Sequence, residues 1–124
     1  MKLSEISTTL EKPPVVQKQD APQETPGGAT VVILNDPVTP AEVVVEAIMY
    51  GTGLSKSAAM KRMMRAHRNG WVPIASYASV DIAETVASKI QSHARGNTNY
   101  DHYRPFVKHN GPWPLTAEVM DAQQ

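Results

Sequence analysis

Two polar residues stand where an apolar stretch of the chain gives way to a helical pattern. In the segment ILNDPVTPAEVV, Asn35 and Asp36 follow a β-branched run and precede Thr39 and Pro40. Asn and Asp are common turn formers, because their short side chains bond to the nearby backbone. Their oxygens are also hydrogen-bond acceptors, which could bind a ligand that carries donor groups. His67, on a methionine-rich segment downstream, adds a ring nitrogen that accepts when the imidazole is neutral.

Little else in the chain offers catalytic or metal chemistry. There is no cysteine, which excludes disulfides, thiolate metal sites and a thiol nucleophile. The four histidines (His67, His93, His102 and His109) show no metal-ligand spacing, so we predict no metal and no cofactor. A small enzyme that uses His67 as a general base beside Asp36 is disfavoured, because no nucleophile or cofactor motif accompanies them. The sequence therefore favours a binding protein over an enzyme.

Composition narrows the class of protein further. The chain has 124 residues, which suits one small domain. Twelve basic residues balance twelve acidic ones, so the charge does not predict binding to nucleic acid. No apolar run is long enough to span a bilayer, and the N-terminus lacks the layout of a secretory signal. We expect a monomeric cytoplasmic protein that does not bind membranes.

The chain divides into an extension and a domain. Residues 1–29 are rich in proline and poor in apolar side chains, which predicts a flexible extension. The domain covers residues 30–124 and begins with the apolar strand TVVIL. The first helix is predicted to begin with Thr39 as N-cap, Pro40 at the first helical position and Glu42 completing a capping box. It is expected to end at YGTG.

The rest of the domain adds two helices and two strands. Ser55 is predicted to cap a helix that ends at Asn69-Gly70, with Met60, Met63, Met64 and His67 on one face and Lys61, Arg62, Arg65 and Arg68 on the other. The segment WVPIASY is predicted to form a strand, and Pro73 indicates that this strand lies at the edge of the sheet or contains a bulge. A helix over SVDIAETVASKIQSHAR follows, ending at Gly96, then an irregular insertion at 97–114 and a possible last strand at 115–119. The order β-α-α-β-α-β predicts an α+β fold, a small sheet with helices packed on one side.

Several of these segments together resemble the ClpS adaptor family. VILNDPVTPAEVVVEAI, MMRAHRNG, IAETVA and HAR match the family's Asn-Asp turn before Thr-Pro and its helical Met-x-x-x-His-x-x-Gly, in the same order and at the same separation. The similarity covers about residues 30–95 and is weaker beyond them. It implies the β-α-α-β-α-β fold and a non-catalytic adaptor of the ATP-dependent Clp protease. Such adaptors recognise substrates whose first residue is large and hydrophobic, which is called an N-degron.

The resemblance also assigns roles to residues of this chain. The positions that match the family's α-amino site are Asn35, Asp36 and His67. The positions that match its hydrophobic pocket are Thr39, Ala41, Val44, Met63 and Ala66, together with Leu115 if PLTAEV is the last strand. An α-amino group, with a pKa of about 8, is mostly an ammonium with three donors, which suits converging acceptors. We expect affinity to fall below about pH 6.5, where a protonated imidazole would repel the ammonium.

The chain departs from the family pattern at several positions. Pro37 stands where a further acidic residue is usual, and proline offers neither a carboxylate nor a backbone N–H. Ala41 and Ala66 replace a larger Met and Val. We therefore expect a permissive pocket that accepts Trp or β-branched first residues as well as Leu, Phe and Tyr.

A second surface is needed to dock the protease machine. The resemblance implies that Asp81 and Glu84, on the exposed face of the third helix, dock the N-terminal domain of a Clp ATPase, although Val86 replaces a usual Lys. It also implies that the N-terminal extension engages the ATPase during substrate transfer. An acidic residue near a helix start is favourable with the helix dipole whatever binds there. The alternative that Pro37 supports is a ClpS-like domain that regulates a Clp ATPase or another partner without binding N-degrons.

Overall fold

The computed structural model describes residues 28–121, so most of the predicted extension lies outside the described residues. The first strand begins at Ala29, one residue inside the predicted extension. The strands are β1 (Ala29–Leu34), β2 (Trp71–Tyr77) and β3 (Thr116–Asp121). The helices are α1 (Ala41–Thr52), α2 (Lys56–Asn69), α3 (Val80–Arg95) and the short α4 (Arg104–Val107), which follows a 3₁₀ turn at Asp101–Tyr103.

The three described strands form one antiparallel sheet in the order β2-β1-β3. The β-branched run of β1 occupies the central position, where Val31, Val32 and Ile33 are buried and the alternate residues Val31 and Ile33 belong to the core. The register between β1 and β2 shifts between Val31 and Val32, and Pro73 pairs with Val32 at that irregularity. Pro73 therefore lies on an edge strand at a bulge, as its position in the sequence predicts.

The helices pack on one face of the sheet and on one another. The core contains the inward side chains of β1 and β2 with the apolar faces of α1 and α3. A Cβ at Gly51, in the last turn of α1, would lie 2.5 Å from Cγ1 of Ile90, so glycine permits the close approach of α1 to α3. This is the predicted α+β arrangement. None of the helices within residues 28–121 is long and apolar enough to cross a membrane.

The start of α1 differs from its prediction. Pro40 is the N-cap and makes no side-chain cap bond, so the capping box between Thr39 and Glu42 does not form. The Thr39 hydroxyl donates instead to Oδ2 of Asp36 at 2.9 Å. The Asp36 carboxylate also accepts from the Thr39 N–H, which is the donor that Glu42 would accept from in a capping box. Ser55 does cap α2 as predicted, because its Oγ accepts from the Ala58 N–H at 3.1 Å.

The predicted faces of α2 are also wrong in part. Arg62 is only 6% exposed and donates from Nε to the Ile74 carbonyl and from Nη1 to the Ala58 carbonyl, each at 3.1 Å. Met60 and Met64 are 42% and 50% exposed. The buried face thus consists of alanines and Arg62. The guanidinium satisfies one carbonyl of the edge strand β2 and one of α2 itself, and its contact with β2 is a tertiary one that the helical period does not show.

The insertion at residues 97–114 is held against the domain by buried and charged side chains. Trp113 is fully buried, and the Arg104 guanidinium carbon lies 4.0 Å from the centroid of its ring. Arg95 donates from Nη1 to the carbonyls of Trp113 at 3.0 Å and Leu115 at 2.6 Å. Arg104 also donates to the Gly111 carbonyl. This segment is therefore an anchored part of the domain.

Candidate functional site

The turn after β1 is joined to the end of α2. The backbone N–H of Asn35 donates to the Gly70 carbonyl at 3.0 Å. Gly70 closes α2 with a φ of 91°, and its N–H donates to the Ala66 carbonyl at 2.7 Å. His67 lies in that last turn of α2. The side chains of Asn35 and His67 are both exposed, so the structure presents them to solvent from two connected backbone segments.

Asp36 shapes the turn between β1 and α1. Its Oδ1 accepts from the N–H groups of Val38 at 2.8 Å and Thr39 at 2.6 Å, and its Oδ2 accepts from the Thr39 hydroxyl at 2.9 Å. A carboxylate offers about four acceptor positions, so these bonds leave capacity for a further donor. The side chain is half-buried. Asp36 is thus held in one orientation by its own turn and still carries a charge at the surface.

The residues predicted to form the hydrophobic pocket divide into an inner and an outer group. The inner group is buried in the described structure, and consists of Thr39, Val44, Ala66 and Leu115. The outer pair is Ala41, which is exposed at the first position of α1, and Met63, which is half-buried on α2. The structure thus distributes the predicted set over the start of α1, the facing part of α2 and the segment before β3.

A groove runs between α1 and α2 beside the outer pair. It has a volume of about 490 Å³ and is lined by Ala41 and Met63, by further apolar side chains of both helices, and by Tyr100 of the insertion. That volume lies within the range of about 300–1,000 Å³ that is typical of ligand sites. The sequence prediction included Ala41 and Met63 but missed the remainder of the groove.

Two tyrosines of the insertion are bonded to carboxylates on α1. The Tyr100 hydroxyl donates to Oε2 of Glu46 at 2.7 Å, and the Tyr103 hydroxyl donates to Oε2 of Glu42 at 2.9 Å. Each hydrogen bond stabilises the neutral phenol, which raises the pKa of Tyr100 and of Tyr103 above the ordinary value. The spacing of Glu42 and Glu46 on one helix face, and of the aromatics in NYDHYRPF, is the only signal of these bonds in the sequence.

The residues predicted to dock an ATPase lie together on α3. Asp81 and Glu84 are exposed and line a second groove, of about 590 Å³, with Lys89 and Tyr50. Tyr50 is 62% exposed and stacks on His93. Val86 is 8% exposed and belongs to the core, so its side chain does not contribute to this surface. Within residues 28–121 no group of three or more His, Asp or Glu side chains is placed to hold a metal ion.

These features define a small α+β binding module, with exposed acceptors at one helix end and grooves along its helices. The sequence model of the family described as "ATP-dependent Clp protease adaptor protein ClpS" matches residues 24–105. The chain belongs to the ClpS family. That membership agrees with the predicted class of a protease adaptor without catalysis of its own.

Curated relatives carry the same description. The ClpS adapter protein of Methylococcus capsulatus is 37% identical over 67 residues, which cover 54% of this chain and 62% of that protein. The chain thus spans somewhat less than two thirds of that relative. The ClpS adapter protein of Paraburkholderia phymatum is 32% identical over 81 residues, which cover 65% of this chain and 77% of that protein.

A solved structure has the same fold. It is that of Agrobacterium tumefaciens ClpS2 bound to L-phenylalaninamide, which superposes with a TM-score of 0.61 at 25% sequence identity. The match covers 78% of this chain and 99% of that one. The predicted α+β fold is therefore confirmed.

Proposed function

We propose that this protein is an adaptor that binds the free N-terminal residue of substrates beginning with a large hydrophobic amino acid, and delivers them to a Clp ATPase–protease. The hydrogen bond from Asn35 to Gly70 is the observation that carries this proposal, because it joins the acceptor turn to the helix end that bears His67. The fold neighbour bound to L-phenylalaninamide supports it, since that ligand has a free α-amino group and an aromatic side chain.

The acceptors suit an α-ammonium group. Its three N–H donors require converging oxygen or nitrogen acceptors, preferably with one negative charge among them. The amide oxygen of Asn35, the remaining acceptor capacity of Asp36 and the neutral ring nitrogen of His67 supply these. Because Asp36 is already fixed by Val38 and Thr39, its carboxylate is oriented before the ligand arrives, which reduces the ordering cost of binding.

The first side chain of the substrate would enter between the outer and inner pocket residues. Ala41 is exposed and Met63 is half-buried, whereas Val44, Ala66 and Leu115 are buried, and we assign these three to the apolar interior of the pocket. The small side chains at positions 41 and 66 leave more room than the Met and Val of the family pattern. We therefore expect Trp and β-branched first residues to bind along with Leu, Phe and Tyr.

Delivery requires contact with the ATPase. The exposed carboxylates of Asp81 and Glu84 form the surface that we assign to the N-terminal domain of a Clp ATPase. The N-terminal extension at residues 1–29, which lies almost wholly outside the described residues, would engage the ATPase during transfer. The protein would act as a monomer in the cytoplasm.

Peptide binding tests the proposal directly. Fluorescence anisotropy should show binding of peptides that begin with Leu, Phe or Trp, and strong loss of binding for the same peptides when N-acetylated, because acetylation removes the ammonium. His67→Ala should weaken binding, whereas Arg68→Ala, at the adjacent exposed position, should not. Equal affinity for free and acetylated peptides would contradict the proposal.

A second candidate function is a ClpS-family domain that regulates a Clp ATPase without binding N-degrons. It is favoured by Pro37, which lacks both a carboxylate and an N–H, and by the use of both Asp36 oxygens within the turn. Loss of one charge-assisted contact weakens binding by about 1.5–3 kcal/mol. Binding to a Clp ATPase that persists while every free-amine peptide fails to bind would identify this function.

A further inference from the structure

The groove between α1 and α2 adjoins the site proposed for the first residue of the substrate. Ala41 and Met63 line the groove and also form the outer pair of the proposed pocket. An extended peptide advances by about 3.3–3.6 Å per residue. If the first side chain lies against Ala41 and Met63, the second and third residues therefore lie within about 7 Å of it, close enough to enter the groove that these two side chains line.

The groove is lined by both apolar and charged side chains. Val45, Met49, Met60 and Met63 provide the apolar lining, while Glu42, Glu46 and Lys56 provide the charged groups. Unbranched methionine side chains adapt to differently shaped apolar groups, so such a lining suits several side chains and not one alone. The lining therefore has the chemistry of a site for an apolar side chain of a peptide.

The insertion contributes to this groove and is bonded to α1 beside it. Tyr100 lines it, and its hydroxyl donates to Glu46 at 2.7 Å. Asn97 also donates to Glu46, from Nδ2 to Oε1 at 3.1 Å, so both oxygens of one carboxylate hold the insertion. Tyr103 bonds to Glu42 next to Ala41. These contacts keep an aromatic ring beside the apolar lining and close to the outer pair.

We propose that this groove binds an apolar side chain at the second or third position of the substrate, and so extends recognition beyond the first residue. The inference rests on the proposed N-degron binding. Recognition of the ammonium and the first side chain would determine whether a substrate binds, and the groove would rank substrates that share the same first residue.

Met60 and Met64 offer a matched pair of variants. Both are exposed methionines one turn apart on α2, but Met60 lines the groove and Met64 is not among its lining residues. Because each side chain is 42–50% exposed, a charged substitution at either position is compatible with folding. Met60→Glu places a carboxylate against the apolar lining, and Met64→Glu adds the same charge elsewhere on the helix.

The test measures anisotropy with peptides that begin Phe-Leu-Ser, Phe-Ser-Leu and Phe-Ser-Ser, each beside its N-acetylated form. We expect the full chain to bind one of the Leu-containing peptides about tenfold more tightly than Phe-Ser-Ser. Met60→Glu should remove this difference while binding remains sensitive to acetylation. Met64→Glu should leave both properties unchanged.

The possible outcomes separate the two proposals. If acetylation has no effect, N-degron binding is wrong and this inference is wrong with it. If acetylation abolishes binding but the three free peptides bind equally, only the groove assignment is wrong. A preference for Leu that survives in Met60→Glu would also overturn it, because the apolar side chain would then bind elsewhere.

Discussion

The N–H of Asn35 and the carbonyl of Gly70 are bonded at 3.0 Å, which joins the end of β1 to the end of α2. This bond continues the antiparallel pairing of β1 and β2 one residue beyond the Leu34–Trp71 pair, and so holds the acceptor turn beside the helix end that carries His67. Its donor follows the central strand, and its acceptor is the residue that closes the helix. The proposed amine site therefore depends on backbone geometry as much as on the identity of its side chains.

Gly70→Ala should destabilise the protein by about 1–2 kcal/mol, since the residue has a φ of 91° that L side chains rarely adopt. Among residues 28–121, no heavy atom other than those of Gly70 and its two chain neighbours lies within 4 Å of the added Cβ, so the loss of stability comes from conformational strain and not from a clash. Urea denaturation measures this loss of stability. Gly96→Ala is the control, because Gly96 also follows a helix but has a φ of −87° and should tolerate alanine. Equal effects of the two substitutions would contradict this account.

The elements with strong local signals were predictable from the sequence. These signals depend only on residues that are close together in the sequence. They are the β-branched run of β1, the serine cap of α2 at Ser55, and the closing glycines Gly53 and Gly70, and each is found where the pattern predicts it. Pro73 indicated an edge or bulge, because proline cannot donate to a central ladder. The order of elements then left few topologies for so short a chain.

Contacts between distant segments were not predictable in the same way. The bonds of Tyr100 to Glu46 and of Arg95 to Trp113 join residues separated by 54 and 18 positions. The sequence therefore predicted only an irregular insertion at residues 97–114, although Trp113 within it is fully buried. The site residues were proposed from their similarity to a family pattern, and the structure adds that Asp36 has a structural role which the pattern does not reveal.

Arg62→Ala should lower the free energy of unfolding by about 1–3 kcal/mol. The Ile74 and Ala58 carbonyls accept from the guanidinium and would lose that donor in a buried site. Arg65→Ala, at an exposed position of the same helix, should change the stability by less than about 0.5 kcal/mol. Chemical denaturation of both variants checks this. Similar stabilities would show that Arg62 is not required by the fold.

Trp113→Ala should destabilise the protein by about 3–5 kcal/mol, as expected for a fully buried aromatic side chain. Trp113→Phe should cost much less, because the indole Nε1 has no hydrogen-bond partner among the described residues and a phenyl ring can still lie under Arg104. Thermal or urea unfolding measures the difference. If Phe were as costly as Ala, the indole N–H would have to make a contact that the present structure lacks.

Two variants separate the structural and binding roles of Asp36. Thr39→Val removes the hydroxyl that donates to Oδ2 but keeps the size of the side chain at this pocket position. It should therefore cost about 0.5–1.5 kcal/mol of stability and change peptide affinity much less than loss of the Asp36 charge does. Asp36→Asn removes the negative charge and should lower the affinity for free-amine peptides by about ten- to a hundredfold, equivalent to 1.5–3 kcal/mol. Denaturation and anisotropy measure the two quantities. If Asp36→Asn bound free-amine peptides with full affinity, the role of Asp36 would be limited to stabilising the turn, which would favour the regulatory function.

The insertion should loosen at alkaline pH. The pKa values of Tyr100 and Tyr103 are raised because each neutral hydroxyl donates to a carboxylate, Glu46 and Glu42 respectively. A raised folded pKa means that these bonds stabilise the protein fully below about pH 10, the value for an unperturbed tyrosine, and that the contribution disappears as the pH rises through the folded pKa. Denaturation at about pH 8 should therefore show the double variant Tyr100→Phe, Tyr103→Phe to be less stable than the parent chain, and the difference should shrink well above pH 10. A difference that stays constant over this range would mean that the two hydrogen bonds do not hold the insertion on α1.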